Sequence, residues 1–507
     1  MMLIDTGGKN ETLKRNKKIN SIPPAHTNST YVSEKNQFNK NSSTQHSTLN
    51  IHHSSFKTQH SKFEVYMFSL IKIFLVITTT LVVLLTNLSC HRTPIEPEKT
   101  KVNLIYEDAL CTEAYFRLKT TEINYPARVD LYLNKNKVNS FTTFSEDTVF
   151  VIENLLPKKS YTSYVRVYPE GGRELVSSEV SFVTMDTTSH NFTWQVFEFG
   201  VECGSSVLYD VAIIDENNIW AVGEIYMRDS LGRCDPKAYN AVHWDGNKWE
   251  LKKIGNQGGW VCKTVFAFSA TDIWFEGNIH WDGSSYKVYK NGWPLMPNGD
   301  GWRVNKLWGT SSNDLYAVGD NGNIAHWDGR SWKKIESGTE LDIYDIYGSH
   351  NLRTKETEIY AVAAKQFVTF DKRILKVTPM GVTAVSDSNI PYSLHGVWFK
   401  AGGPYYVVGS GMYRKNDLMR AGPWKWLHPG VSPYYTYAIR GNGVNDIFIC
   451  GSYGELLHFN GIEFRSYQKS PGFFDLEFYE LSCRNNLVVA VGYVQTRAVA
   501  VIGRRIP

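Results

Sequence analysis

The chain has 507 residues, 42% hydrophobic and 14% aromatic, enough apolar material for real cores and length for about three domains. Its 54 Lys and Arg against 50 Asp and Glu give a net charge of +4, yet residues 1–66 alone hold nine basic and four acidic side chains. The remainder is close to neutral and draws little on phosphate backbones, which excludes nucleic acid as a partner of the folded part.

Residues 1–66 are rich in Asn, Ser, Thr, His and Lys and show no apolar periodicity, so they are predicted to be disordered. Their five histidines (His26, His46, His52, His53 and His60) lack a Cys or carboxylate at fixed ligand spacing, and no metal site is assigned. An apolar run follows from Phe68 to Leu88, long enough to cross a bilayer as a helix. Residues 67–89 also have the layout of a secretory signal starting at Met67: a Lys-bearing lead, an apolar stretch, then small residues. Leu88-Ser89-Cys90 resembles a bacterial lipoprotein signal, which implies lipidation of Cys90. Asn87 departs from the aliphatic residue usual there. The alternative keeps 68–88 as an anchor helix with a basic cytoplasmic tail. Both place the chain beyond Cys90 outside the cytoplasm, anchored at a bacterial outer membrane or cell surface. Six further cysteines occur without a CxxC pair, which argues against zinc ribbons and thioredoxin-type chemistry.

A Pro-containing tether (90–101) leads into six short alternating strands over 102–186, the pattern of an antiparallel sandwich. Leu156-Pro157-Lys158-Lys159-Ser160-Tyr161, with Tyr164, Val165 and Val167 after it, resembles the end of a fibronectin type III domain. The resemblance implies that Tyr161 forms a tyrosine corner and that Ser177 to Thr184 is the last strand. The family's second-strand Trp is missing, so Tyr115 or Phe116 is expected to fill the core.

Residues 191–507 repeat. An Asp/Asn-aliphatic-aromatic-x-Val-Gly strand recurs with its last residue at 223, 277, 319, 363, 409, 451 and 492, a pitch suited to four-stranded propeller blades. Seven such landmarks predict seven blades. The last unit lacks its fourth strand, and FTWQVFEFG, ending at Gly200, matches the missing piece. The expected fold is therefore all-β: a fibronectin type III-like sandwich followed by a seven-bladed β-propeller closed by its N-terminal strand, which removes an exposed edge.

Within the repeats, His-Trp-Asp-Gly stands at 243–246, 280–283 and 326–329, with His-Phe-Asn-Gly at 458–461. Such residues on separate blades cannot converge on one ion, and Asp-Gly is hairpin chemistry, so a structural role is predicted. The aromatics Phe266, Trp308, Tyr347 and Trp398 occupy one column of the innermost strands and are expected in the core; Arg440, in the same column, needs a partner. Asp210, Lys306 and Asp345 form a polar column two residues earlier.

Non-repeated loops are the better functional candidates. The enlarged loop 224–241 carries Arg228, Asp229, Cys234 and Asp235; Cys234 is placed to pair with Cys203 or Cys262. The 290–302 connection on the same face is expected to expose Trp293. The stretch 200–505 resembles bacterial surface lipoproteins in which a fibronectin type III-like domain is followed by a propeller of His-Trp-Asp-Gly repeats. The repeats specify a fold and not an activity; the preferred reading is a non-enzymatic surface module binding a protein or glycan, with no cofactor and no catalytic residue assigned. Its expected ligand site is the face holding Asp210, Arg228, Asp229, Asp235, Lys306, Asp345 and Arg440. The alternative is a carbohydrate-active enzyme, which would need two carboxylates across a cleft.

Overall fold

A computed structural model describes residues 101–506 except 257–258, 294–301, 352–353, 368–370, 419–421 and 428–430. The tail 1–66, the apolar run 68–88, Cys90 and the tether up to residue 100 lie outside the described residues.

Residues 102–183 form two sheets. Val102–Ala109, Ala114–Thr120 and Asp147–Ile152 make the first. Asn136–Thr143, Ala127–Leu133, Ser160–Pro169 and the short Leu175–Val176 make the second, with Val180–Val183 also on Ser160–Pro169. Alternation puts Phe116, Leu118, Val129, Leu131, Val165 and Val167 into the shared core. Of the two aromatics expected to fill this core, Phe116 is fully buried in it, while Tyr115 packs against the repeats instead. The Leu156 N–H donates to Tyr161 Oη at 2.9 Å, a local bond that closes the turn before the Ser160–Pro169 strand. Asn136–Thr143 was not anticipated, because it is largely exposed and polar and carries no alternating signal.

Among the described residues from 192 onward, seven four-stranded antiparallel sheets form. The innermost strands are Val207–Asp215, Val265–Ser269, Val304–Ser311, Asp342–His350, Leu394–Phe399, Thr436–Gly443 and Glu477–Arg484. Each touches the next, and Glu477–Arg484 touches Val207–Asp215, so the sheets close a ring: a β-propeller. The outermost strand of the last sheet is Phe192–Phe199, paired antiparallel with Arg497–Arg505 from Ala498↔Phe199 to Arg505↔Phe192. The landmark glycines act by close approach rather than by a turn conformation. Gly319 and Gly451 have φ near −172°, ordinary extended backbone. A Cβ on Gly319, Gly451 or Gly492 would strike a carbonyl oxygen at the entrance of the neighbouring innermost strand, that of Arg303, Tyr435 or Glu477.

The His-Trp-Asp-Gly repeat resolves into three local devices. The Asp328 carboxylate accepts the N–H groups of Arg330 and Ser331, both at 2.9 Å, and Asp245, Asp282 and Asn460 cap equivalent turns. The indoles of Trp244 and Trp327 donate to backbone carbonyls of Glu216 and Ser312. Each histidine bonds the polar residue that opens the second strand of its own sheet: His243–Asn218, His280–Asp272, His326–Asp314 and His458–Asp446, at 2.7–2.9 Å. Each also packs on that strand's aromatic ring, stacked for His243, His326 and His458 and tilted by 39° for His280. Replacing Asp328 by Ala frees two turn amides, and the expected result is a fall of about 2 °C in unfolding temperature by calorimetry. Ligand binding should be unaffected; a variant that melts normally yet binds less would refute this structural role.

The sandwich docks on the turn side of the fifth and sixth sheets. Arg414 forks onto Glu113 at 2.7 and 3.0 Å, and Leu110, Tyr115 and Met185 join Trp398, Tyr406 and Val444 in one apolar cluster. Behind it, His190 Nδ1 lies 2.8 Å from His458 Nδ1, whose ring is held through Nε2 by Asp446. With Nε2–H of His458 donating to Asp446, its Nδ1 accepts from His190 Nδ1–H, so the bond requires a neutral His458 ring. Burial, reinforced by His458, Arg465 and Arg505, pushes His190 down to about 4. Between pH 6.5 and about 4 the unfolded chain therefore binds more protons, and the junction loses stability as pH falls. Amide exchange over 187–192, corrected for intrinsic rates, should rise several-fold at pH 5 relative to pH 7. Equal protection at both values would refute it.

Candidate functional site: the central channel

In six of the seven innermost strands the pairing register slips by one residue near the start, between Leu208/Asp210, Val304/Lys306, Ile343/Asp345, Leu394/Gly396, Thr436/Ala438 and Phe478/Glu480. Such bulges re-aim a side chain, and here they set the residue after each slip at one level around the ring. Asp210, Lys306, Asp345 and Glu480 share that level. Arg440 starts one step lower, opposite Phe448 as Trp308 is opposite Tyr316, and reaches up to it.

The result is a buried layer of five charges. Lys306 Nζ stands 2.7 Å from Asp210 and 2.6 Å from Glu480. The Arg440 guanidinium forks onto Asp345 with two 2.9 Å bonds and reaches Glu480 at 3.3 Å. Backbone amides complete the carboxylates: Val211 and Val265 donate to Asp210, Val397 to Asp345, and Leu481 to Glu480. The Val265 and Val397 bonds come from the neighbouring sheet, so the layer also stitches sheets together. Burial pushes Asp210 up to about 6, with Glu480 adding to the rise against the pull of Lys306. Burial opposes the ionised form of Glu480 as well, but Arg440 and Lys306 outweigh it and hold that carboxyl below its usual range. Asp210 and Asp345 are 2% and 3% exposed, so the polar column expected on an open face is instead sealed inside the channel.

Above the layer, at the end where innermost strands begin, rings from successive sheets form a collar. Tyr344 stacks on His395 at 4.4 Å; His395 meets Tyr437, Tyr437 meets Tyr479, and Tyr479 stacks on Tyr209, over which Lys263 Nζ sits 5.6 Å from the centroid. Below the layer is a cavity of about 250 Å³ walled by Phe266, Trp308, Tyr347 and Trp398. The aromatic column read as core thus lines the channel, although Trp308 and Trp398 are themselves buried.

The charged loop after the first sheet's second strand stands apart from this layer. Arg228 donates to the Gly232 carbonyl; Asp229 accepts the Leu231 and Arg233 amides and pairs with the Arg233 guanidinium. Asp235 accepts the Lys237 amide and Lys253 Nζ. These side chains fold the loop, and among the described residues no bond links them to Asp210. Cys234 is bonded to Cys203, closing a separation of 31 residues, while Cys262 is a buried free thiol bonded to the Thr264 carbonyl. The open choice for Cys234 is thereby settled, and Cys262 has no part in a disulfide. Trp293, expected on the surface, is half-buried against Trp302 and Trp332. Cys234→Ser should cost up to about 4 kcal/mol by the chain-entropy argument for a loop of this length. Faster amide exchange should be confined to 225–238; exchange spread through the ring would contradict the loop's independence.

Sequence reasoning missed Glu480. Its signal was present: Tyr479-Glu480-Leu481 repeats the pattern of Tyr209-Asp210-Val211 and Tyr344-Asp345-Ile346.

No family model matches the chain, and no curated protein matches it. Among solved structures the chain is similar to YCF48 bound to D1 peptide, at 16% identity and a TM-score of 0.45 over 63% of this chain and 99% of that one. It is also similar to virginiamycin B lyase from Staphylococcus aureus, at 13% identity and a TM-score of 0.44 over 62% and 100% of the two chains. The Dos1 propeller matches at 11% identity and a TM-score of 0.38 over 61% and 95%.

Proposed function

We propose that the protein is a non-enzymatic binding module of the cell surface, lipid-tethered at Cys90. In this reading a fibronectin type III-like sandwich presents a seven-bladed propeller whose free loop face takes a protein or glycan. One observation carries it: the sandwich covers turns on one side of the ring, while the opposite loops leave Leu231, Phe367, Tyr453 and Phe474 between 60% and 72% exposed. Isolated exposed side chains are ordinary, but four on the loops of one uncovered face favour a contact surface.

The channel chemistry argues against hydrolysis. Glycosidic cleavage needs one carboxyl free to donate a proton and another facing the sugar. Asp210, raised to about 6, has the right proton affinity for an acid but is sealed, with both oxygens bonded. Asp345 and Glu480 are likewise clamped by Arg440 and Lys306. A glycan array and a hydrolysis screen on the full chain test the reading. Binding without turnover is expected, weakened when Phe367 and Tyr453 are replaced by Ser. Hydrolysis of any array glycan, or binding that both substitutions leave intact, would overturn it.

A further inference from the structure

The cavity below the charge layer is a second candidate site, on the other side of that layer from the free loop face. Four consecutive sheets, second to fifth, supply its aromatic walls, and the first and seventh complete it with Ala212, Ser482 and Cys483. Space for the indoles is made by glycine in adjoining sheets: a Cβ on Gly348 would strike the Trp308 ring, and one on Gly441 the Trp398 ring. The charged side chains lining the cavity are Lys306 and Arg440; Asp210, Asp345 and Glu480 do not line it.

Two of the three Lys306 ammonium hydrogens are taken by Asp210 and Glu480. The four terminal hydrogens of Arg440 go to Asp345 (twice), Glu480 and the Ile439 carbonyl. Arg440 Nε–H and one Lys306 N–H are left without an acceptor among the described residues. Trp398 Nε1 is buried without a partner in hydrogen-bond geometry, beside the Tyr347 hydroxyl. The layer as a whole has three carboxylates to two cations, so its long-range field does not favour an anion. Short-range donors on the cavity side, in a water-poor aromatic setting, are what a ligand would meet.

We propose that this cavity binds a small ring-bearing carboxylate, its ring stacked among Phe266, Trp308, Tyr347 and Trp398 and its carboxylate accepting from Arg440 Nε and Lys306 Nζ. Ring stacking supplies affinity, and the two charge-assisted bonds supply discrimination against neutral analogues. Indole-3-acetate is a suitable probe because it joins one planar ring system to one carboxylate. Calorimetric titration of the full chain should show sub-millimolar binding at a single site. Indole-3-acetamide, equal in shape and uncharged, should bind at least tenfold more weakly, and glucose not at all. Ser482→Leu, which fills the cavity from the seventh sheet, should cut affinity for the acetate at least tenfold with an unchanged melting curve. Ala212→Leu fills it from the first sheet and replaces that test if Ser482→Leu melts early. No binding of the acetate, equal binding of the amide, tighter binding of glucose, or undiminished binding by a normally melting cavity-filling variant would each overturn the proposal. None of these outcomes bears on the loop face, which the array experiment addresses separately.

Discussion

Deleting residues 191–200 should abolish cooperative unfolding of the ring. Phe192–Phe199 pairs along its whole length with Arg497–Arg505, and its side chains serve three sheets. Phe197 and Phe199 pack on Trp249 of the first sheet, while Trp194 meets Tyr467 and Phe473 of the sixth and its following connection. The ladder contributes roughly 4–8 kcal/mol at about 1 kcal/mol per bond. Four half-buried aromatics (Phe192, Trp194, Phe197 and Phe199) add several kcal/mol more. The sum is of the order of a domain's whole net stability. Calorimetry of the deletion should show no sharp transition, and a synthetic peptide FTWQVFEFG should restore one by occupying the vacant edge. A deletion variant that melts within a few degrees of the parent would show that the strand is dispensable.

Arg440→Met should be the most damaging single substitution in the channel. It removes the fork on Asp345 and one of two cations on Glu480 without enlarging the side chain. Breaking a buried pair from one side costs about 3–5 kcal/mol, because the remaining charge is left in a poor medium. The deficit should depend on pH in a defined direction. In the parent, the depressed pKa of Glu480 contributes stability that is present above its unfolded value and is lost as pH falls through the folded value. In the variant, Glu480 loses one of the two cations that stabilised its ionised form, so it takes up a proton more readily when folded. The variant therefore recovers relative to the parent as pH falls. Urea unfolding at pH 8 and pH 5.5 should show the gap between them shrinking, and an equal gap at both values would remove Arg440 from the charge balance. Arg440→Lys should rescue only partly, since an ammonium cannot fork across both Asp345 oxygens.

The repeats made the ring legible because each unit restates its own hairpins. Asp314 and His326 are 12 residues apart, as are Asp446 and His458, so their bond lies within one unit and is marked by the motif that contains it. The charge layer is different. Lys306 meets Asp210 across 96 residues and Glu480 across 174, and Arg440 meets Asp345 across 95. Alignment of the units identifies which residues share a column, but not that bulges turn four of them inward or that Arg440 climbs to join them. The loop charges misled for a related reason. Arg228, Asp229 and Asp235 looked free in sequence because their partners are backbone groups a few residues away, which residue types alone do not display. The docking of Glu113 on Arg414, 301 residues distant, left no periodic trace at all.

The closing strand also fixes an order of events during synthesis. Glu198 and its ion-pair partner Arg497 are 299 residues apart, so the strand emerges early and its mate nearly last. At about 5–20 residues per second, the aromatic-rich edge waits roughly 15–60 s with no partner to pair with. Sheets one to six can assemble from neighbouring segments in that interval, since each is made of consecutive strands. Only the seventh must await both ends. An early aromatic strand without its mate is the segment most in need of protection from aggregation, and a nascent chain stalled before residue 497 should expose it to a holdase or to a neighbouring copy.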